Sequence, residues 1–313
     1  MNATMNATMN TTENPGGNSG TRSAGNPREG DVSAGKLSPV GRFERVLLAT
    51  DGSEWSAGAE RIAVALCTEH RAHLHVLSAI STPGEAGWLG KPNDVEAERQ
   101  SKETLQRVEK LAREAGLACT GHLRCGDDPY EVIVQTAREL SSDVVVMGRR
   151  GRRGLARLML GDATAKVIGY APCSVLVVPE DAHMWSSILV ATDGSRFSDM
   201  AAVAAVELAK TGSVPLTVLS VKVPVHSARR QDEAQPIVDR VLEFIADQEV
   251  VASGLVASGV ADDTIVEVAH ERNLGLIVLG NFGRTGIGRM LFGSKAERVI
   301  NQATTPVLIA RGG

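Results

Sequence analysis

From residue 45 onward, short unbroken apolar runs alternate with amphipathic stretches. Arg45–Ala49, Val144–Met147 and Ser174–Val178 are such runs, and Ser187–Ala191, Leu216–Val221, Leu276–Leu279 and Pro306–Ala310 are others. Valine, isoleucine and leucine that continue without polar alternation read as strands covered on both faces, the pattern of a parallel sheet. His73–Ala79 and Ala118–Arg124 read as further strands. Between the runs the spacing turns helical. Ser56–Glu69 carries Ile62 and Leu66 on an alanine-rich face, with Glu60 and Glu69 outside it. Val95–Ala115 carries Leu105, Val108 and Leu111 before a stop at Gly116. Pro129–Leu140, 163–170, Met200–Lys210, Pro236–Val250, Thr264–Glu271 and a stretch opening at Lys295 read as the other helices. The order β-α-β-α-β-α-β-α-β, taken twice, predicts an α/β protein of two tandem doubly wound domains, each with a five-stranded parallel sheet.

The second passage repeats the first. Gly148, Gly151, Gly154 and Gly161 recur as Gly280, Gly283, Gly286 and Gly293, each 132 positions on, and Arg152 and Arg157 recur as Arg284 and Arg289. Ala49–Ser53 recurs as Ala191–Ser195 at a shift of 142. The shift falls by about ten residues after the second strand of the unit, in the kind of surface loop that tolerates insertion. A repeat of this length predicts domains at 41–180 and 185–313. The short join at Glu180–Trp185 argues for halves packed together rather than tethered. Residues 1–40 are rich in Asn, Gly, Ser and Pro, with no aromatic before Phe43, and are expected to form a disordered tail.

Composition narrows the picture further. Hydrophobic residues make up 43% of the 313 but aromatics only 3%, so the core must be aliphatic. A formal net charge of −4 gives no reason to expect nucleic-acid binding by the whole chain. Cys67, Cys119, Cys125 and Cys173 lack zinc-site spacing and read as buried or incidental thiols of a reducing compartment. No apolar run approaches the roughly 18 residues of a membrane span, and the N-terminus lacks the build of a signal peptide. The expected location is the cytoplasm, away from membranes.

The candidate chemistry lies in the two glycine-bearing loops, each between a buried strand and a helix. Glycines let the backbone approach an anion closely, and the free N–H groups of a helix start point at it. Ser294 would cap the second of these helices and offer its hydroxyl to the same anion. Asp162 takes that place in the first loop; it suits an N-cap, but its charge opposes a phosphate there. Thr164, close by, is a substitute hydroxyl. Gly288, Gly293, Ser294 and Lys295 approach a Walker loop with Ser and Lys in reversed order, so the lysine role of that loop is not expected. Both loops also read as tight turns without a ligand.

The spacing Gly-x2-Gly-x9-Gly, followed by Ser in the second copy, occurs twice, each time after a strand ending in Ala-Thr-Asp-Gly-Ser. It resembles the universal stress protein family, in its ATP-binding, tandem two-domain form, over residues 42–313. The resemblance implies a Rossmann-like, adenine nucleotide alpha hydrolase-like fold and ATP as the ligand, with room for Mg2+. It implies that Gly280, Gly283, Gly293 and Ser294, and likewise Gly148, Gly151 and Gly161, hold ribose and phosphates. Asp193 and Asp51 would lie beside the nucleotide, and Val221 and Ala79 would hold adenine through their backbone. The last strands, Val175–Val178 and Val307–Ala310, would pair in an intramolecular pseudo-dimer, leaving a further homodimer open.

Other residues keep several readings. Arg149, Arg150, Arg152, Arg153 and Arg157 crowd the first loop and suit a triphosphate, an acidic partner or RNA, or plain solvation. His73 and His75 share a strand face and read as core or surface residues rather than metal ligands, and Asp127 and Asp128 open a helix whose dipole they suit. No Ser/His/Asp or Cys/His set is spaced for catalysis. The expected function is therefore a cytoplasmic stress-response protein that binds ATP and presents a nucleotide-dependent surface to a regulatory protein partner. The alternatives are a slow ATPase or nucleotide-transferring enzyme on the same fold, and a ligand-free scaffold.

Overall fold

Among the described residues ten strands carry the apolar runs: β1 (Arg45–Ala49), β2 (His73–Ser81), β3 (Cys119–Gly126), β4 (Val144–Gly148) and β5 (Ser174–Val178), then β6 (Ile188–Ala191), β7 (Leu216–Lys222), β8 (Ala252–Ser258), β9 (Leu276–Gly280) and β10 (Val307–Ala310). They form one sheet in the order β3-β2-β1-β4-β5-β10-β9-β6-β7-β8. The computed structural model describes residues 43–81, 92–150, 160–282 and 293–311. The expected tail at 1–40 and Gly151, Gly154, Gly283 and Gly286 lie outside the described residues.

Within each half every pairing is parallel. The halves meet where β5 runs antiparallel to β10: Val175 faces Ile309, Leu176 faces Leu308 and Val177 faces Val307. At the repeat shift of 132, Leu176 faces its own counterpart Leu308, while Val175 faces the counterpart of Val177 and Val177 that of Val175, so a pseudo-twofold passes between Leu176 and Leu308. The pairing satisfies two strand edges that separate halves would leave open.

Helices cover both faces because strand side chains alternate. On one face Leu48, Val146, Leu176, Val190, Val278 and Leu308 join a core with α1 (Ala57–His70), α2 (Pro92–Glu114), α5 (Arg196–Gly212) and α7 (Ala234–Ala246). On the other Leu47, Val145, Val177, Leu189, Ile277 and Val307 pack with α3 (Pro129–Glu139), α4 (Asp162–Tyr170), α8 (Ala261–Glu271) and α9 (Ser294–Gln302). A five-residue helix, α6 (Ala228–Asp232), precedes α7.

Three features depart from the sequence reading. β8, Ala-Ser-Gly-Leu-Val-Ala-Ser, is a half-exposed edge strand with few bulky apolar residues, so it leaves little periodic signal. The helix expected over Pro236–Val250 runs from Ala234 to Ala246. Glu60, expected on the outer face of its helix, is 3% exposed. It accepts hydrogen bonds from the Thr50 hydroxyl at 2.7 Å and the Arg107 guanidinium at 2.5 and 2.9 Å. α2 brings Arg107 across α1, and a buried carboxylate is tolerated only with such partners.

His70, at the end of α1, meets Phe43 edge-on at 5.5 Å, and its buried Nε2 has no hydrogen-bond partner among the described residues. Burial lowers its pKa from 6.5 to about 4. The unfolded chain therefore takes up a proton near pH 6.5 that the folded one refuses until about pH 4. Stability present above pH 6.5 should drain away as the pH falls through this window. His70→Phe is expected to flatten that acid limb in urea denaturation between pH 7 and 4.5. An unchanged slope would assign the loss to other groups.

Candidate functional site

A cleft of about 580 Å³ opens at the carboxyl ends of β1, β2 and β4. It stands where connections from neighbouring strands leave to opposite faces, the usual ligand position in an open α/β sheet. The turn after β1 forms one wall. Its Asp51 Oδ1 accepts from the Ser53 amide at 3.0 Å, the Ser53 hydroxyl at 2.6 Å and the Ser56 hydroxyl at 2.8 Å. Thr50 Oγ1 accepts from the Gly52 amide at 3.0 Å, and Gly52 takes φ +71°, which the tight turn requires.

The opposite wall is the amino end of α4. Gly161 donates its amide to the Arg149 carbonyl at 3.0 Å, and Thr164, buried, donates its hydroxyl to the Gly148 carbonyl at 3.2 Å. These bonds tie the helix start to the end of β4. Asp51, Ala79, Gly148, Gly161 and Thr164 all line the cleft. Gln100 and Ser101 of α2 line it too; the sequence reading passed over them because their helix reads as charged and solvated. Asp128 caps α3 as expected, accepting from the Tyr130 amide at 3.2 Å.

The caps differ from expectation. Gly161, not Asp162, is the N-cap of α4, and Gly293, not Ser294, is the N-cap of α9; neither helix start has a side-chain cap bond. Both glycines are extended, at φ −67°, so Asp162 and Ser294 become the first helical residues. Helix-start amides without a side-chain cap suit an outside acceptor. The Asp162 carboxylate is 82% exposed and bonded to Lys166 Nζ at 2.9 Å, which also reaches Asp128 at 3.0 Å. The two carboxylates raise the Lys166 pKa, and the ammonium offsets part of the charge at the helix start.

The arginine cluster divides. Arg149 turns away from the cleft to the carboxyl end of α9, donating to the carbonyls of Ala303 at 2.9 Å and of Ile300 and Asn301 at 3.4 Å. Arg150 lines the cleft with its guanidinium 3.9 Å over the Trp55 ring. Arg152, Arg153 and Arg157 lie outside the described residues. Arg149 therefore takes none of the roles read for the cluster, because its charge serves the other half of the chain.

The second half repeats the turn. Asp193 Oδ1 accepts from the Ser195 amide at 3.1 Å, and Thr192 Oγ1 from the Gly194 amide at 3.2 Å. Gly280 ends β9, Val221 lies in β7, and Gly293 donates its amide to the Asn281 carbonyl at 2.9 Å, matching the Gly161 bond. Phe282 packs on Phe197 at 5.5 Å where the first half stacks Arg150 on Trp55.

The glycines are not equivalent. A Cβ on Gly148 would stand 2.7 Å from the Trp55 carbonyl oxygen, and one on Gly280 2.6 Å from that of Phe197. Those glycines are required by the protein's own packing. A Cβ on Gly161 or Gly293 would meet nothing closer than 3.5 Å among the described residues.

Cys125 is exposed, and the other three cysteines are more enclosed. Burial pushes the thiols of Cys67 and Cys173 up to about 12 and that of Cys119 to about 11, which removes the thiolate at neutral pH. His73 stacks on His75 at 4.3 Å, and His75 Nδ1 lies 3.2 Å from His122 Nε2. Among the described residues no group of three or more His, Cys, Asp or Glu side chains is arranged to hold a metal. No helix among them is long and apolar enough to cross a membrane.

A profile of the universal stress protein family matches residues 42–179 and again 184–311. A universal stress protein of Mycolicibacterium smegmatis is 28% identical over 300 residues, covering 85% of this chain and 96% of that protein. One of Thermus aquaticus is 38% identical over 141 residues, covering 44% of this chain and 98% of its own. The crystal structure of a universal stress protein from Archaeoglobus fulgidus superposes with a TM-score of 0.70 at 21% identity, over 87% of this chain and 99% of that one.

Proposed function

Because the chain belongs to the universal stress protein family, we propose that it is a cytoplasmic stress-response protein that binds ATP in the first-half cleft and at the equivalent position of the second. The observation that carries this is convergence. Asp51, Ala79, Gly148, Gly161 and Thr164, far apart in the chain, line one cleft at the amino end of α4. Its volume of about 580 Å³ falls in the range of small-molecule sites. In this reading the backbone at Ala79 holds adenine, and the uncapped amides after Gly161 receive phosphate. Asp193, Val221, Gly280, Gly293 and Ser294 take the same roles in the second half, and Gly151 and Gly283 belong to the same two loops. Mg2+ entering with ATP would reduce the repulsion from Asp162. In this reading binding has a conformational output to a regulatory partner; slow turnover, the alternative, would draw on the carboxylates that line the cleft, Asp51, Asp127, Asp128 and Asp162.

The test is calorimetric titration of ATP with and without Mg2+. Two sites are expected, the tighter in the second half, where Ser294 stands in place of Asp162. Asp162→Ser should tighten the first site about fivefold, a quarter of the unscreened repulsion of two charges about 4 Å apart at an effective dielectric of about 20. Wild-type protein that takes up no nucleotide at millimolar ATP would instead support a ligand-free scaffold.

A further inference from the structure

The two halves are joined by a pair of arginine caps. Arg149 follows Gly148 in the first site and donates to three carbonyls, those of Ile300, Asn301 and Ala303, at the carboxyl end of α9. Leu160 precedes Gly161 of the same site, and its amide donates to Asn301 Oδ1 at 2.7 Å. Both flanks of the first glycine loop therefore grip the carboxyl end of α9. The amino end of that helix, at Gly293 and Ser294, is the anion-binding end of the second site. In return Arg311, just after β10, donates to the carbonyls of Gly169, at 2.9 Å, and Ala171 at the carboxyl end of α4. The amino end of α4 belongs to the first site. Both guanidiniums are half-buried, and desolvation lowers both pKa values.

The caps do not come from repeat-equivalent positions. At the repeat shift of 132, Arg149 corresponds to Asn281, and Arg311 corresponds to Pro179. Among the described residues the Asn281 Oδ1 is buried without a hydrogen-bond partner. Only Arg149 sits inside a glycine loop. A cation on the last carbonyls of a helix complements its dipole and fixes its end, and over a helix of nine residues the far end is a rigid 13 Å or so away.

We propose that Arg149 is a positioning residue for the second nucleotide site, and that through it and Asn301 filling the first site tightens the second. This rests on the nucleotide reading above. A ligand at Gly148 and Gly161 holds the segments that carry Arg149 and Leu160, and these hold α9 with its amino-end amides in place. By linkage the second ligand must tighten the first by the same factor.

The experiment blocks the second site with Gly293→Val and follows amide exchange of α9 by mass spectrometry with and without ATP. Filling the first site should slow exchange across residues 294–302 about fivefold, the lower end of ordinary coupling. Arg149→Ala in that background should erase the ATP-dependent slowing, Arg149→Lys should keep part of it, and Asn301→Ala should reduce it. A merely structural Arg149 would change exchange equally with and without ATP. If Arg149→Ala fails to fold, Asn301→Ala carries the test. ATP bound to the first site without any change in α9 exchange overturns the coupling and leaves the nucleotide reading intact. No ATP bound to the wild-type protein overturns both.

Discussion

Gly148→Ala and Gly280→Ala should each lower stability by about 2 to 3 kcal/mol, the usual cost of overpacking a closed site. The added methyl would stand 2.7 Å from the Trp55 carbonyl oxygen in one case and 2.6 Å from that of Phe197 in the other. Those are backbone atoms, in the turn that leads into α1 and in the first turn of α5, so they cannot swing aside as a flexible side chain would. Gly161→Ala and Gly293→Ala should behave differently. Among the described residues their methyls meet only ordinary contacts at 3.5 Å or more, and both residues already have a φ of −67° that alanine adopts freely. Their stability cost should stay near 1 kcal/mol, that of a poorer N-cap. ATP affinity should nonetheless fall about tenfold or more, because the methyl occupies the approach to the helix-start amides. Urea denaturation and calorimetric titration of the four variants separate the two kinds of glycine. If Gly161→Ala binds ATP as the wild type does, the glycine is there for the turn and not for a ligand.

Arg107→Ala should cost about 3 kcal/mol, more than Glu60→Gln. The two residues form an ion pair with very unequal exposure: the Arg107 side chain is 49% exposed and the Glu60 side chain 4%. Removing the arginine leaves a buried carboxylate with only the Thr50 hydroxyl, and an uncompensated buried charge is the expensive case. Glu60→Gln still offers an oxygen to Thr50, and the freed guanidinium has water within reach. The effect should extend to the cleft. Thr50 both donates to Glu60 and accepts from the Gly52 amide, so the network holds the turn that carries Asp51. Weaker ATP binding should accompany the loss of stability in Arg107→Ala, read by the same two methods. A Glu60→Gln variant less stable than Arg107→Ala would reverse the assignment of which charge needs the other.

Much of this protein was determined locally, and so was legible in the sequence. The unbroken runs at Val144–Met147 and Leu276–Leu279 specify strands covered on both faces, because no alternation leaves a side for water. The 132-residue recurrence of Gly148, Gly151 and Gly161 specifies the tandem repeat. The Asp51 and Asp193 turns follow from short-range bonding, since an Asp side chain reaches the amide two residues on. Other features depend on contacts that no period records. Glu60 sits at a position that its own helix would place outside, and it is buried because α2 crosses over it with Arg107. Arg149 reads as one more loop cation, yet it caps a helix 151 to 154 residues away. The expected caps Asp162 and Ser294 gave way to Gly161 and Gly293, because the extended glycine backbone at each strand-to-helix turn sets where the helix begins. Arg311 left no repeat signal, since its counterpart is Pro179. Periodicity reports which face of an element is apolar; the charge that meets a given carbonyl or carboxylate is set by distances between elements, within one half for Glu60 and, for the caps of Arg149 and Arg311, only once the sheet has closed across β5 and β10.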